Sequence, residues 1–289
     1  MPRHPRRPRP PGREAKRARP PLTIREDPVV TRARMAAAGE SLKILAGPTP
    51  GTSDLARRIH DLTDRSIGQV HAACRDGHRV ACRSGCTHCC MFPVAASAPE
   101  VLAVAAFVRE GFDEPKRAAL DARVMANIAA TDGMSMDQRD RVRLDCPFLE
   151  AGQCSVYEVR PVACRGYSSY SVEDCREDRE HPGAGVEIHT NGLRELVSGA
   201  IREGLGIACR SASVEHRLLE LVRGYRIASD DPALEATWRD RPEAFATATG
   251  ASVFPGPWSD DLDREFEEVY RATIDRLGAA TGPAPRRST

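Results

Sequence analysis

The sequence has no long hydrophobic run. Its most apolar stretch, PVAASAPEVLAVAAFV over residues 93–108, is interrupted by Glu100 and by two prolines. A spanning helix needs about 20 predominantly apolar residues, so no membrane partner is expected. No apolar segment follows the basic N-terminus, so no secretory leader is expected either. The first twenty residues contain no serine and are broken by prolines, which argues against an amphipathic transit helix. The expected compartment is therefore the cytoplasm. Lysine is almost absent, standing only at positions 16, 43 and 116, so the basic charge is carried by arginine. Aromatic residues make up only 5% of the chain. None interleaves with the arginines of the N-terminal block, so that block lacks the stacking platform of a single-strand nucleic-acid arm.

Charge of one sign is also lacking outside that block. Residues 1–20 carry seven Arg and one Lys against Glu14, a net of +7, which leaves −6 on the remainder of a chain whose total is +1. A mildly acidic body makes nucleic acid an unexpected partner. The Pro/Arg-rich start cannot bury a core, and residues 1–34 read as a disordered basic tail. The basic block precedes Met35, a second candidate start.

The rest reads as a mostly α fold, one helical domain over residues 52–278 followed by a disordered tail at 279–289. After a linker near GPTPGTSD, Leu55, Ile59, Leu62, Ile67 and Val70 recur at helical spacing. Ser97-Ala-Pro-Glu100 reads as a capping box opening a helix that stops near Gly111. Asp113 caps another, with Leu120, Val124 and Ile128 on one face. Residues 144–167 differ: two short apolar pieces flank Ala151-Gly152, which predicts a tight hairpin, and Pro147 and Pro161 exclude a long helix. Ser, Gly and Asp then dominate to residue 191. Helical periodicity returns at Leu193, Leu196, Val197, Ala200, Ile201 and Leu205, and further helices fit 213–226, 231–240 and 259–277.

Cysteine is what the sequence has in excess. Of ten, eight lie between residues 82 and 175, and CRSGCTHCC packs four into nine positions. A chain of this length needs no disulfide staples, and in a reducing compartment such clusters are metal ligands or catalytic thiols. If the run were helical, Cys82, Cys86, Cys89 and Cys90 would fall at roughly 0°, 40°, 340° and 80° on one face. If it were extended, Cys89 and Cys90 would point apart. In either geometry one mononuclear site using both is awkward, whereas two sites or a cluster use them naturally. Cys146 and Cys154 would face each other across the hairpin, Cys164 follows Arg160-Pro161, and Cys175 ends the next loop. Eight thiolates fit two closed tetrahedral zinc sites or an iron–sulfur cluster with spare ligands. Cys74 and Cys209 stand apart and read as buried thiols.

The spacings carry a resemblance. Cys82-x3-Cys86-x2-Cys89-Cys90, then Cys146-Pro147-Phe148-Leu149, then Cys154-x2-Tyr157-x2-Arg160-Pro161-x2-Cys164-Arg165 resembles the YkgJ-type cysteine-cluster family of zinc- or iron-chelating proteins. The resemblance covers residues 82 to about 175. It implies zinc or iron bound through Cys82, Cys86, Cys89, Cys90, Cys146, Cys154, Cys164 and Cys175, and brings no settled reaction. Arg83, Arg160 and Arg165 are candidates to balance the negative charge of thiolate sites. Tyr157 reads as a packed aromatic with a bonded hydroxyl, and His60, His71, His78 and His189 as solvated or hydrogen-bonded. His88, between ligands, could replace one. Cys82-x3-Cys86-x2-Cys89 is also the spacing of the radical S-adenosylmethionine motif, although His88 stands where an aromatic is usual and alternating strands and helices are absent. A flagellin-lysine methylase is among the proteins said to carry the cysteine-cluster domain. The alternative reading is therefore a 4Fe-4S protein with redox or S-adenosylmethionine-dependent transferase activity.

Overall fold

The computed structural model describes residues 28–47, 51–73, 80–83, 85–134, 136–241 and 243–248. The expected helix at 259–277, the tail at 279–289, His78 and Cys74 lie outside these residues.

The fold is mostly α. Helix α1 spans Pro28–Leu45 and α2 spans Thr52–Ala73. A two-residue strand β1 (Ala95–Ala96) leads into α3 (Ala98–Gly111) and α4 (Glu114–Ala130), and a short α5 follows at Met136–Arg141. The cysteine-bearing segment contributes β2 (Leu149–Glu150), β3 (Gln153–Cys154), α6 (Val162–Gly166) and α7 (Val172–Glu180). Then come α8 (Gly192–Ser211), β4 (Leu219–Glu220), α9 (Leu221–Asp230) and α10 (Leu234–Thr237).

Helix α3 is the centre of the core. Its residues from Ala98 to Ala106 are all buried, as in a helix surrounded on every side. It packs on α2 and α9, while α8 packs on α1, α2 and α6. The antiparallel pair β1–β4 ties the start of α3 to the start of α9, with Ala95 opposite Glu220 and Ala96 opposite Leu219. The periodic faces read from the sequence are the ones buried: Leu55, Ile59, Ile67 and Val70 on α2, Leu120 and Val124 on α4, and Val197, Ala200, Ile201 and Leu205 on α8. Among the described residues no helix is long and apolar enough to cross a membrane.

Three expectations are corrected. Residues 28–34 are the first turns of α1, so the tail boundary at 34 does not hold. Between Val30 and Leu45 the inward face of α1 carries mainly small residues, Ala33, Ala37, Ala38 and Ser41 beside Arg34, which give a weak hydrophobic signal. They let α8 approach so closely that a Cβ at Gly204 would lie 2.3 Å from the Arg34 carbonyl oxygen. Residues 213–218 are not helical: Ser213 turns the chain with φ +56° into β4. Finally, Cys175 does not end a loop; it lies on α7, which Ser171 caps by accepting from the Asp174 amide (3.0 Å).

Candidate metal centre

Cys89, Cys90, Cys146, Cys154 and Cys164 each stand one or two residues from a buried apolar anchor. Met91 follows Cys90, Phe148 follows Cys146-Pro147, Val156 follows Cys154, and Val162 precedes Cys164; each anchor is at most 2% exposed. Phe148 packs edge-on against Tyr225 of α9, with ring centroids 5.1 Å apart. Burying such a side chain contributes roughly 1.5–3 kcal/mol. The irregular segment is thus nailed to the helical core at points adjoining the thiols.

The described residues of CRSGCTHCC form neither a helix nor a strand. Gly85 has φ +80°, a conformation that suits a residue without Cβ, and the chain turns there so that the Cys86 amide donates to the Arg83 carbonyl (3.0 Å). A second turn carries the Cys90 amide to the Thr87 carbonyl (2.9 Å), and Phe92 donates to Cys89 (3.2 Å). The predicted hairpin is present: Leu149 pairs with Cys154 and Glu150 with Gln153. Ala151 and Gly152 both have positive φ, 48° and 75°, the signature of a type I′ turn. Cys154 is therefore opposite Leu149, and Cys146 sits just before the strand, its carbonyl accepting from the Leu149 amide (2.9 Å).

Three further bonds join distant segments. The Cys146 amide donates to the Cys90 carbonyl (2.7 Å). The Ser169 amide donates to Cys82 Sγ (3.3 Å), while the Ala81 amide donates to the Ser169 carbonyl (2.8 Å). The structure thus brings together the four segments that carry Cys82 to Cys90, Cys146, Cys154 to Cys164, and Cys175.

The thiols influence one another. Burial pushes Cys146 well above the ordinary thiol range, and Cys164, Cys154 and Cys90 add to the effect, while the Phe148 amide opposes it. Burial raises Cys164 to about 12, with Cys154 and Cys90 contributing. Cys154 is raised by burial and by Cys90, against an amide bond from Val156 and the charge of Arg160. Burial, Cys82 and Cys86 raise Cys175. Cys89 and Cys90 share a hydrogen bond that pushes Cys89 up and pulls Cys90 down. Amide donors to sulfur, like those of Phe148 and Val156, favour the thiolate form that metals bind.

Among the described residues no three His, Cys, Asp or Glu side chains already converge on one point as an ion requires. The donor set nevertheless fits zinc or iron in kind: eight thiols on neighbouring turns, none in a disulfide. Rotation about the single χ1 of each cysteine is the freedom available to close the gaps. His88 lies among these donors with Nδ1 buried and without a hydrogen-bond partner.

The surrounding charge is only partly what the sequence suggested. Arg160 acts on Cys90, Cys154 and Cys164 and lies 3.7 Å from the Tyr157 ring centroid. Tyr157 itself is 57% exposed, not packed inside. Arg165 turns away to pair with Asp64 (2.6 Å), and Arg83 is exposed. Two arginines went unremarked. Arg179 pairs with Asp145, donates to the Thr87 carbonyl (3.3 Å) and acts on Cys90; Arg143 pairs with Asp178 (3.0 Å) and lies over Phe92. Arg179 stands four residues after Cys175 on α7, a signal readable once that segment is known to be helical.

His60 is buried, not solvated, with Nε2 3.6 Å from Glu100 Oε1. Glu100 is fully buried and serves two helix starts: Oε2 accepts from the Ser97 amide and hydroxyl (2.8 and 2.7 Å), and Oε1 from the Val162 amide (2.7 Å). Burial pushes its carboxyl up, but His60 and these amides outweigh that and hold it at about 2. Exposed His189 bonds to Asp174 (2.7 Å). Cys209 is the buried thiol expected, 1% exposed, and burial raises it to about 12.

Residues 81–182 match the family model CxxCxxCC. That family is described as "Putative zinc- or iron-chelating domain", and the match spans the segment just built from its turns and anchors. The YkgJ-type resemblance read from the cysteine spacings holds over this segment, and zinc or iron chelation is the role it supports. No curated protein and no solved structure matches the chain.

Proposed function

We propose that this protein binds zinc or iron through Cys82, Cys86, Cys89, Cys90, Cys146, Cys154, Cys164 and Cys175, and that the metal is zinc in a structural or chelating role. What supports this reading is the family match over residues 81–182, whose cysteine-bearing segments are tied to one another by the Cys146–Cys90 and Ser169–Cys82 hydrogen bonds. Their compartment is the reducing cytoplasm, where thiols stay available to metal. Residues 82–175 act as the metal-binding part of one domain, with the helices as its support. Arg160 and Arg179 offset part of the negative charge that metal-bound thiolates place around Cys90, Cys154 and Cys164. Nucleic acid is not a partner, because the body is net acidic.

Anaerobic purification followed by metal and acid-labile sulfide analysis tests the reading. Zinc without sulfide supports it. Iron with sulfide transfers the same ligand region to the 4Fe-4S alternative, with redox or transferase chemistry. A folded protein with neither metal refutes both.

A further inference from the structure

We propose that residues 171–188 form a flap that closes over the CRSGCTHCC turns, is latched by two crossed arginine–aspartate pairs, and opens to pass the metal ion. The flap and its latch stand on the packing alone; the passage of metal rests on the metal-binding reading above.

The two arms of this segment meet at a narrow neck. Ser169 bridges Thr190 in antiparallel fashion, and the Tyr170 amide donates to the His189 carbonyl (2.9 Å). Asn191, which caps α8, donates to the Tyr170 hydroxyl (2.7 Å). The neck is thus fixed to the start of α8, and the chain beyond it can lift without disturbing that helix. Ser169 belongs to the neck, so its bond to Cys82 stays in place when the flap lifts.

Little apolar surface holds the flap down. Within it Cys175 alone is buried, and VEDCREDRE, the sequence of α7, has no apolar side chain besides Val172 and Cys175. A segment with so few buried apolar contacts opens locally at less than the global cost of unfolding. Its return arm turns through Gly183 and Gly185, both exposed and at positive φ, 84° and 71°.

The fastening is polar and lies at the end of α7 away from the neck. The loop before the hairpin carries Arg143 and Asp145, and the last turn of α7 carries Asp178 and Arg179. Arg143 meets Asp178 at 3.0 Å, and Arg179 meets Asp145. Each side presents one charge of each sign, so the signs match only in this register. The side chains of Arg143 and Asp178 are 11% and 13% exposed, whereas those of Arg179 and Asp145 are 28% and 57% exposed. Salt therefore screens the first pair little and the second more. Arg179 also donates to the Thr87 carbonyl (3.3 Å), which seats the flap on the turn between Cys86 and Cys89. With the neck at one end and the latch at the other, α7 is a lever, and lifting it carries Cys175 away from the other cysteine segments.

Amide exchange of the full-length protein, read by peptide mass spectrometry, tests the flap. Asp178→Arg sets like charges against each other at the latch. Exchange over residues 172–180 should rise about tenfold or more, while α3 keeps its protection, and adding Arg143→Asp should restore most of what was lost. In the unaltered chain, raising salt from about 0.02 to about 0.5 M should also speed exchange over 172–180 but not in α3, because the exposed pair is screened. If the variants fail to fold, the salt comparison decides alone. Exchange over 172–180 that moves with neither substitution nor salt overturns the latch, as does a folded double variant no better protected than Asp178→Arg. Zinc release to a chromogenic chelator tests the passage: Asp178→Arg should release zinc about tenfold faster, and the double variant close to the original rate. An unchanged rate from a flap shown to be loose overturns the passage and leaves the flap. Protein that takes up neither zinc nor iron overturns the metal-binding reading and the passage with it, while the exchange data still decide the flap.

Discussion

The amide of Cys146 donates to the carbonyl of Cys90 across 2.7 Å. This bond fastens the hairpin loop to the CRSGCTHCC turns, two stretches that are far apart in sequence. Two residues on from Cys146, Phe148 fastens the same loop to Tyr225 in the helical core. Backbone and core thereby fix the separation of thiols on different segments.

Phe148→Ala should accordingly damage two properties together. Deleting a buried phenylalanine costs about 3–5 kcal/mol, so the thermal midpoint should fall clearly. Metal affinity should fall as well, because Cys146 and Cys154 lose the anchor between them. Thermal denaturation and competition with a chromogenic chelator measure the two. A destabilised variant with unchanged affinity would show that Phe148 serves the core alone.

Glu100 makes stability depend on acid. Its folded value is lowered from 4.5 to about 2, so its contribution is present above the unfolded value near 4.3 and is lost as pH falls towards 2. The lowering corresponds to about 3 kcal/mol. Glu100→Gln should be less stable at neutral pH and should lose less stability between about pH 4.5 and 2. Urea unfolding at several pH values gives the comparison; equal acid sensitivity in both proteins contradicts it.

The raised thiols predict opposite pH behaviour with and without metal. In chelator-treated protein, Cys146, Cys154 and Cys164 are held above the ordinary value. Groups raised in this way favour the fold below their unfolded value, about 8.5, and that contribution is lost as pH rises towards 12. The apo protein should therefore weaken on the alkaline side. The loaded protein should weaken on the acid side, where protons displace metal from thiolate. Thermal midpoints measured from pH 5 to 10 should merge on the acid side and separate as pH rises; parallel curves contradict the assignment.

Gly166 closes α6 against α8. A Cβ there would lie 2.5 Å from Ser198 Cβ, so Gly166→Ala must push α6, and Cys164 with it, away. Overpacking of this kind costs about 1–3 kcal/mol. Ser198→Gly should restore much of the loss in a double variant, as expected for residues in contact. Thermal midpoints of the four proteins check this, and strict additivity would deny the contact.

What the sequence disclosed follows from where its signal is strong. The faces of α2, α4 and α8 were legible because Leu, Ile and Val recur at helical spacing, and the hairpin because Ala151-Gly152 parts two apolar pieces. Helix α7 was not legible: VEDCREDRE offers no apolar stripe beyond Val172 and Cys175, and its serine cap at Ser171 shows only in the fold. Helix α1 was missed because alanine and serine make up most of its buried face, a pattern that has meaning only beside Gly204. The candidate ligands could be named from spacing. Their neighbours Arg143 and Arg179 could not, since they approach from elements whose packing no local pattern announces.

Thiol protection resolved by residue tests the central claim most directly. Native, metal-loaded protein is treated with an alkylating agent, with and without a strong chelator, and each cysteine is read by peptide mass spectrometry. Cys82, Cys86, Cys89, Cys90, Cys146, Cys154, Cys164 and Cys175 should be protected together and become reactive together once metal is withdrawn, while Cys209 should stay unreactive in both as long as the helical core holds. Equal labelling of the eight with and without chelator, in protein whose metal content is shown to have changed, would contradict the account.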